Sequence, residues 1–547
     1  MGLNKVIEWD ISKDKPVLGL PTPVRADRLN VLLADYNPVA RHELVSGFTS
    51  GFDIGFRGVV NSDLLVSNLR STDNRKLAVD QALAKEVSLG RMEGPFTHPP
   101  FQSFQLNPIG LVPKKDAGKF RMIIDLSYPP GKAINDSIDD VFARVQYTSI
   151  KDAVKAILAC GKHAFMAKTD IEKAFKIIPI SPAQYHLLCV SWEGVFYFDK
   201  TLPMGCRSSC KIFQSFSDAL KFIASTKGIE FLVNYLDDFL IVAPTYHDCL
   251  LALREFRAVC AFLGVPLALE KTFLPVQVIV FLGLEFDSVA EVVRLPEDKL
   301  ERCREGISRI LKSAQPSSNK KRACTLRELQ SILGLLSFAC SVIIPGRAFL
   351  KRLFALTAGI KKPYHFVKIT QAAREDLNTW LFFLNEYNGV TLYREEMFIS
   401  EKVCHFFTDA SKSLGCGAVF GSKWFSLAWP SVWWSEQNIT FLELVPIVLA
   451  VEVWGKEIRN HCLVLHTDNM ALKHVINAQS SREDLVMTWV RRLVLQALRH
   501  NVLIQAVHVP GTMNILADLL SRLQVSRFLE LHPSADGLPA KIQSLPP

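Results

Sequence analysis

The sequence predicts a multidomain chain of mixed α+β and α/β class, and three observations lead there. At 547 residues it exceeds what one hydrophobic core supports. From Ala164 to Pro296, strand-like runs alternate with helices, the pattern of an α+β domain. From Val403 the order changes to three strand runs (403–409, 415–420, 423–428), a helix over Phe441–Trp454, a strand over 462–467, helical segments, a strand over 502–508 and a short helix over 514–522. That order describes a compact α/β module.

Composition sets the remaining limits. With 49% apolar and 21% charged residues, the chain reads as globular rather than disordered. Its apolar runs are too short for a membrane span, and Met1-Gly2-Leu3-Asn4-Lys5 carries no signal-peptide pattern. Twelve cysteines, without a CxxC pair or zinc spacing, read as reduced and mostly buried thiols; the one close pair, Cys206 and Cys210, has no neighbouring histidine. The expectation is an intracellular protein of cytoplasm or nucleus, not secreted and with no membrane partner.

In chain order, residues 1–90 carry mixed helix and loop signals, with a helix over Asp73–Ser88 and no recognisable chemistry. Proline punctuation follows at Gly94-Pro95, Pro99-Pro100, Asn107-Pro108 and Pro113. A hairpin joins Ile109–Val112 to Lys119–Leu126 around the turn Lys114-Lys115-Asp116-Ala117-Gly118. Residues 297 to about 395 are mainly helical, with Leu326, Leu329, Ile332, Leu333 and Leu336 on one face. Between Pro296 and Lys368 stand 15 Lys and Arg against 5 Asp and Glu, which accounts for the net charge of +9 and points to a phosphate backbone as partner. A solvated helical face would read the same way. After Arg527, proline and glycine suggest a tail or linker.

The chemistry begins at Asn234-Tyr235-Leu236-Asp237-Asp238. The flanks Phe231–Val233 and Phe239–Val242 read as two strands with the acid pair at their turn. Adjacent carboxylates in apolar surroundings repel, so a cation must compensate them or their pKa values must rise. A divalent metal on oxygen ligands meets that need, and it calls for a third carboxylate. Asp170, at the end of the apolar run Ala167-Lys168-Thr169-Asp170, is the candidate. Downstream, Leu202-Pro203-Met204-Gly205-Cys206 turns into a helix.

These three motifs, in this order, resemble the palm of reverse transcriptases. The resemblance implies a right-hand polymerase with fingers and palm over 91–295 and a basic helical thumb or connection over 296–398. It implies two Mg²⁺ ions, or Mn²⁺ in their place, on Asp170, Asp237 and Asp238 with the main-chain carbonyl of Ile171. Phe175 falls where the family excludes a ribose 2′-hydroxyl, so deoxynucleoside triphosphates are the implied substrates. Lys114, Lys115 and Arg121 resemble the fingers residues that grip the triphosphate, Met204 and Gly205 line the nucleotide pocket, and Lys271 matches a lysine near the leaving pyrophosphate. Phe281-Leu282-Gly283 resembles the hairpin at the primer end. Met204 replaces a usual Gln and Cys210 a usual Pro, so nucleotide handling does not carry over in detail.

The C-terminal module, 399–526, resembles ribonuclease H through Thr408-Asp409-Ala410-Ser411, Phe441-Leu442-Glu443-Leu444, His466-Thr467-Asp468-Asn469 and Asn514-Ile515-Leu516-Ala517-Asp518. The resemblance implies a second pair of metals on Asp409, Glu443, Asp468 and Asp518, with His508 as a mobile histidine assisting product departure. RNA template, DNA primer and RNA–DNA hybrid are the implied partners. Gly94-Pro95-Phe96, Ile109-Gly110-Leu111-Val112-Pro113-Lys114-Lys115, Leu126-Ser127-Tyr128-Pro129 and Pro345-Gly346-Arg347 resemble retrotransposons of the DIRS type, which implies a tyrosine recombinase encoded by the same element. A gypsy-like element shares the ending Ala517-Asp518-Leu519-Leu520-Ser521-Arg522. A domesticated or decayed element kept for nucleic-acid binding is the alternative. An RNA-dependent RNA polymerase is disfavoured by Phe175 and the nuclease module.

Overall fold

The computed structural model describes residues 19–60, 66–114, 118–313, 323–386, 388–391, 403–430 and 438–542. Lys115 lies outside them. The chain forms two compact units, Met1–Leu282 with Asp287–Ala290, and Gly283–Phe286 with Glu291–Pro547. The fold class is the expected one: α+β in the first unit, and an α/β sheet preceded by helices in the second.

The first unit is built on an antiparallel sheet in the order Leu232–Tyr235, Asp238–Ala243, Phe165–Asp170, Phe273–Val276. Helices Ile150–Cys160, Ser209–Thr226 and Tyr246–Leu263 pack on it. The third of these starts where Thr245 Oγ1 accepts the Asp248 N–H (3.1 Å) and stops at Gly264 (φ 78°). A Cβ on Gly264 would stand 2.1 Å from the Pro23 carbonyl, so this position needs glycine both for its φ and for the close approach. Phe213, Phe216, Phe239 and Phe256 are fully buried, each worth roughly 1.5–3 kcal/mol of transfer free energy.

Residues 24–60 and 66–89, within the stretch 1–90 expected as an N-terminal extension of unknown role, share the core of the first unit. Helices Ala26–Leu32, Pro38–Ser50 and Lys76–Ser88 bury Leu29, Leu44, Phe48, Val79 and Leu83 in the same core as Phe216 and Phe256. The Arg25 N–H donates to the Leu263 carbonyl (2.9 Å), tying this segment to the helix Tyr246–Leu263. The expected hairpin forms between Ile109–Pro113 and Phe120–Ile124, with Val112 opposite Arg121.

In the second unit, Leu326–Ala339 is capped by a reciprocal Thr325–Glu328 box and buries the expected Leu326, Leu329, Ile332, Leu333 and Leu336. Gly346 lies flush on Trp380: a Cβ there would meet the indole ring at 2.3 Å. Farther on, a five-stranded sheet runs Lys423–Ala428, Gly415–Phe420, Val403–Ala410, Cys462–Thr467, Leu503–His508; the first three are antiparallel and the last three parallel. Helix Ile439–Trp454 is apolar on nearly every side because it lies between this sheet and helix Asp484–Arg499. Trp454 closes that core against Phe406, Phe420 and Phe425.

Within the stretch expected as a tail or linker, residues 528–540 pack on the module. Helix Val525–Leu531 buries Phe528 against Trp424. Beyond it, the Asp536 N–H donates to the Ser422 carbonyl, the Ala540 N–H to the Trp424 carbonyl and the Trp424 indole to the Asp536 carbonyl. All twelve cysteines are free thiols, and all but Cys210 and Cys404 are buried. Among the described residues, no helix is long and apolar enough to cross a membrane.

Candidate catalytic centres

Sheet register builds the first centre. Asp170 and Asp238 are direct cross-strand partners, and the Ile171 N–H donates to the Asp237 carbonyl (3.0 Å). All three acids therefore meet at one end of the sheet. Tyr235 pairs with Asp238 across a two-residue turn whose first residue, Leu236, has φ 50°. A leucine there is strained by about 1 kcal/mol or more. The helix Ser209–Thr226 holds it: Gln214 Oε1 accepts the Leu236 N–H (3.0 Å) and Ser217 Oγ donates to its carbonyl (2.7 Å). Asn234 Nδ2 donates to Ser217 Oγ (3.0 Å) and Asp218 Oδ1 (2.8 Å), completing the network.

Burial pushes Asp237 up to about 6, with the Asp170 and Asp238 charges adding to the effect. Asp170 is raised as well, chiefly by burial and against the pull of Lys271. Two ammonium groups answer this charge: Lys271 Nζ lies 2.9 Å from Asp170 Oδ1, and Lys168 Nζ lies 3.2 Å from Asp238 Oδ1. The Asp170 carboxylate in turn raises the pKa of Lys271. Lys168 was missed in the sequence, although its position two residues before Asp170 puts both on one strand face.

Around the acids, the half-buried Phe175 leans on Phe213 (centroids 5.4 Å apart). Arg121 Nη1 lies 3.8 Å from the sulfur of Met204, joining the fingers hairpin to the Leu-Pro-x-Gly loop. Gly205 has φ 95°, and its carbonyl accepts from Asn135 Nδ2 (2.8 Å). Asn135 Oδ1 also accepts the Arg207 N–H (2.8 Å), so this unforeseen side chain braces the loop at two points. The Lys114 N–H closes the hairpin turn on the Lys119 carbonyl (2.8 Å), and its ammonium makes no ion pair among the described residues.

In the second unit Asp409 is the penultimate residue of the central strand and Asp468 follows its parallel neighbour. Glu443, 9% exposed, accepts from Thr467 Oγ1 (3.4 Å). Helix Ile515–Ser521 carries Asp518 and packs flush on the sheet, because Gly417, opposite Asp409, would put a Cβ 2.3 Å from Leu520 Cβ. Ser521 Oγ donates to Asp409 Oδ2 (2.5 Å), and Arg522 Nε donates to Asp518 Oδ1 (2.7 Å). Burial and the Asp468 charge push Glu443 up to about 7; burial also raises Asp409, with Asp468 and Asp518 adding to it. Asp409 thus feels the charges of Asp468 and Asp518, and Glu443 those of Asp468 and Asp409. His508 Nε2 lies 3.1 Å from the Asp468 carbonyl at the exposed edge of the group.

Both donor sets are hard oxygen ligands with excess negative charge, a fit for Mg²⁺ or Mn²⁺. Among the described residues, no three acidic, His or Cys side chains already converge as the ligands of a single ion. In the first centre Asp238 and Asp170 instead face Lys168 and Lys271.

Residues 112–286 match the family model described as reverse transcriptase (RNA-dependent DNA polymerase). That span holds Arg121, Asp170, Phe175, Asp237, Asp238 and Lys271. Among curated relatives, the Pro-Pol polyprotein of simian foamy virus type 1 is 25% identical over 284 residues, covering 52% of this chain and 22% of its own. A putative enzymatic polyprotein of cassava vein mosaic virus is 22% identical over 436 residues, covering 75% and 59%. Protein P of duck hepatitis B virus (strain China) is 32% identical over 147 residues, covering 26% and 18%. The chain thus spans from about a fifth to three fifths of the length of these relatives. A foamy viral protease-reverse transcriptase solved with RNA/DNA hybrid aligns over 90% of this chain and 64% of its own, at 15% identity and a TM-score of 0.48.

Proposed function

We propose that this chain is the RNA-directed DNA polymerase and hybrid-specific ribonuclease of a retrotransposon. The observation that carries the reading is the register of Asp170 on Asp238, with Asp237 at the adjoining turn, inside the segment that matches the reverse transcriptase model. Bound at each acid cluster, a pair of Mg²⁺ ions would stabilise the attacking and leaving oxygens of phosphoryl transfer. Asp170, Asp237, Asp238 and the Ile171 carbonyl would hold one pair, and Asp409, Glu443, Asp468 and Asp518 the other.

The remaining residues position substrate. Phe175, propped by Phe213, forms a wall where a ribose 2′-hydroxyl would sit, which favours deoxynucleotides. Arg121 offers a planar fork to the triphosphate beside Met204 and Gly205, with Lys114 at the turn of the same hairpin and Lys115 next to it in the sequence. Lys271 is poised to carry a proton toward departing pyrophosphate once released from Asp170. His508 has the exposure to meet a leaving RNA strand. Template RNA, primer DNA and their hybrid would engage the Lys- and Arg-rich segment between Pro296 and Lys368. The Pro345-Gly346-Arg347 and Leu126-Ser127-Tyr128-Pro129 motifs favour a DIRS-type element with its own tyrosine recombinase.

Primer extension on an RNA template with Mg²⁺ and deoxynucleotides tests the reading. Asp237→Asn should abolish synthesis while duplex affinity stays within about twofold. An active variant would overturn the assignment, and a folded wild type that binds duplex without extending it would favour the domesticated alternative.

A further inference from the structure

The acids of the first centre are met by two ammonium groups that are held in different ways. Lys271 belongs to the short turn Leu269–Lys271, and its side chain is 57% exposed. It can leave Asp170 for water at little cost. Lys168 has no such freedom. Its strand, Phe165–Asp170, is paired on both sides, so Lys168 stands between Leu240 and Phe273. Asp170 is opposite Asp238, which makes Lys168 and Asp238 diagonal neighbours on one face of the sheet. The Lys168 side chain is only 17% exposed, and its Nζ lies 3.2 Å from Asp238 Oδ1.

A carboxylate that would take a divalent ion thus already has one oxygen on a fixed positive charge. The ion must either displace that ammonium or bind beside it, and like charges a few ångströms apart in a half-buried site repel strongly. Both routes weaken metal binding. Asp170 feels the same ammonium, so the effect reaches beyond Asp238. In return, Asp238 is not left as an unpaired, half-buried charge when no metal is bound.

We propose that Lys168 is a resident counter-ion of this centre, competing with divalent metal for Asp238 and thereby setting the metal affinity of Asp170, Asp237 and Asp238. The inference rests on the metal-binding reading of these acids given above. Lys168 is a positioning residue, since it acts on the metal through Asp238.

The test is a titration of the full chain with Fe²⁺, which enters Mg²⁺ sites and, on addition of peroxide, cuts the main chain beside the bound ion. The protein is loaded without oxygen at pH 8. Fragments ending near Asp170 and Asp237 report the first centre, and those near Asp409 and Asp468 the second. Lys168→Gln keeps a donor for Asp238 but removes the charge, so the half-maximal Fe²⁺ concentration at the first centre should fall about tenfold or more. Lys168→Arg keeps the charge and should stay within about threefold of wild type. The second centre, in the other unit, should titrate alike in every variant and serves as the internal control. Lys168→Met is a second neutral variant, used if circular dichroism shows the first to be poorly folded. An unchanged half-maximal concentration in a folded neutral variant, even with a lowered Tm, would overturn the proposal, because Lys168 would then be a purely structural partner. A shift shared equally by the second centre would do the same. Wild type cut nowhere near Asp170 or Asp237 would instead overturn the metal reading, and the proposal with it.

Discussion

Glu443→Gln should stabilise the metal-free protein at alkaline pH and leave it unchanged in acid. Glu443 is nearly buried on helix Ile439–Trp454, and its pKa is pushed from an ordinary 4.5 to about 7 by burial first and by the Asp468 charge second. That displacement corresponds to about 3 kcal/mol of penalty on the ionised carboxylate in the folded state. Because the folded value lies above the unfolded one, the favourable contribution is complete below about 4.5 and is lost as pH rises through about 7. Wild type in EDTA should therefore lose stability between pH 5 and pH 8. Glutamine keeps the shape and the bond from Thr467 Oγ1 but carries no charge, so its curve should be flatter. For a unit of this size, about 3 kcal/mol means a Tm higher by roughly 6–12 °C at pH 8. Differential scanning fluorimetry in EDTA from pH 5 to 8 measures it. Parallel wild-type and variant curves would refute the reasoning, since the charge penalty would then be absent. Adding Mg²⁺ should raise the wild-type Tm at pH 8 and move the variant much less.

Other outcomes follow from the same geometry. Gln214→Ala leaves the Leu236 N–H unpaired at a left-handed turn, which costs about 1–3 kcal/mol locally, and primer extension should slow at least tenfold; adding Leu236→Gly should restore part of the rate, because glycine takes φ 50° without strain. Ser521→Ala frees the Asp409 carboxylate and should reduce hybrid cleavage about tenfold with primer extension unchanged, a split read by running both assays on one preparation. Gly417→Val would drive the helix carrying Asp518 off the sheet, and limited proteolysis should then cut near residues 511–523.

How far the sequence could be read depended on the range of the interactions involved. The positions of Asp170, Asp237 and Asp238 stood out because β-branched and aromatic flanks mark strands, and an acid pair between two such runs has few places to go. Leu326–Ala339 announced itself through its period and its Thr325–Glu328 box. What stayed hidden were contacts spanning many residues: Gln214 to Leu236, Asn135 to Gly205, Ser521 to Asp409. A polar residue on a helix or loop gives no local sign of the main-chain group it will serve. Lys168 was readable in principle, since period two aligns it with Asp170, yet a lysine within a strand does not say which acid it will meet. Residues 24–60 and 66–89 gave no sign of their place because amphipathic helices name no partner; the packing of Leu44 and Phe48 with Phe216, and the Arg25 N–H on the Leu263 carbonyl, make them part of the first unit. The last stretch misled through composition, its prolines and glycine obscuring a seven-residue helix with one buried phenylalanine.

That last stretch also bears on how the outer edge of the sheet is covered. Lys423–Ala428 is the outermost strand of the five-stranded sheet, and its free edge would present unpaired amides and carbonyls to any passing strand. Residues 536–540 take up the Ser422 and Trp424 carbonyls, and Phe528 covers the Trp424 ring. Cutting the chain at 526 would thus uncover an aggregation-prone border while leaving every candidate catalytic residue in place.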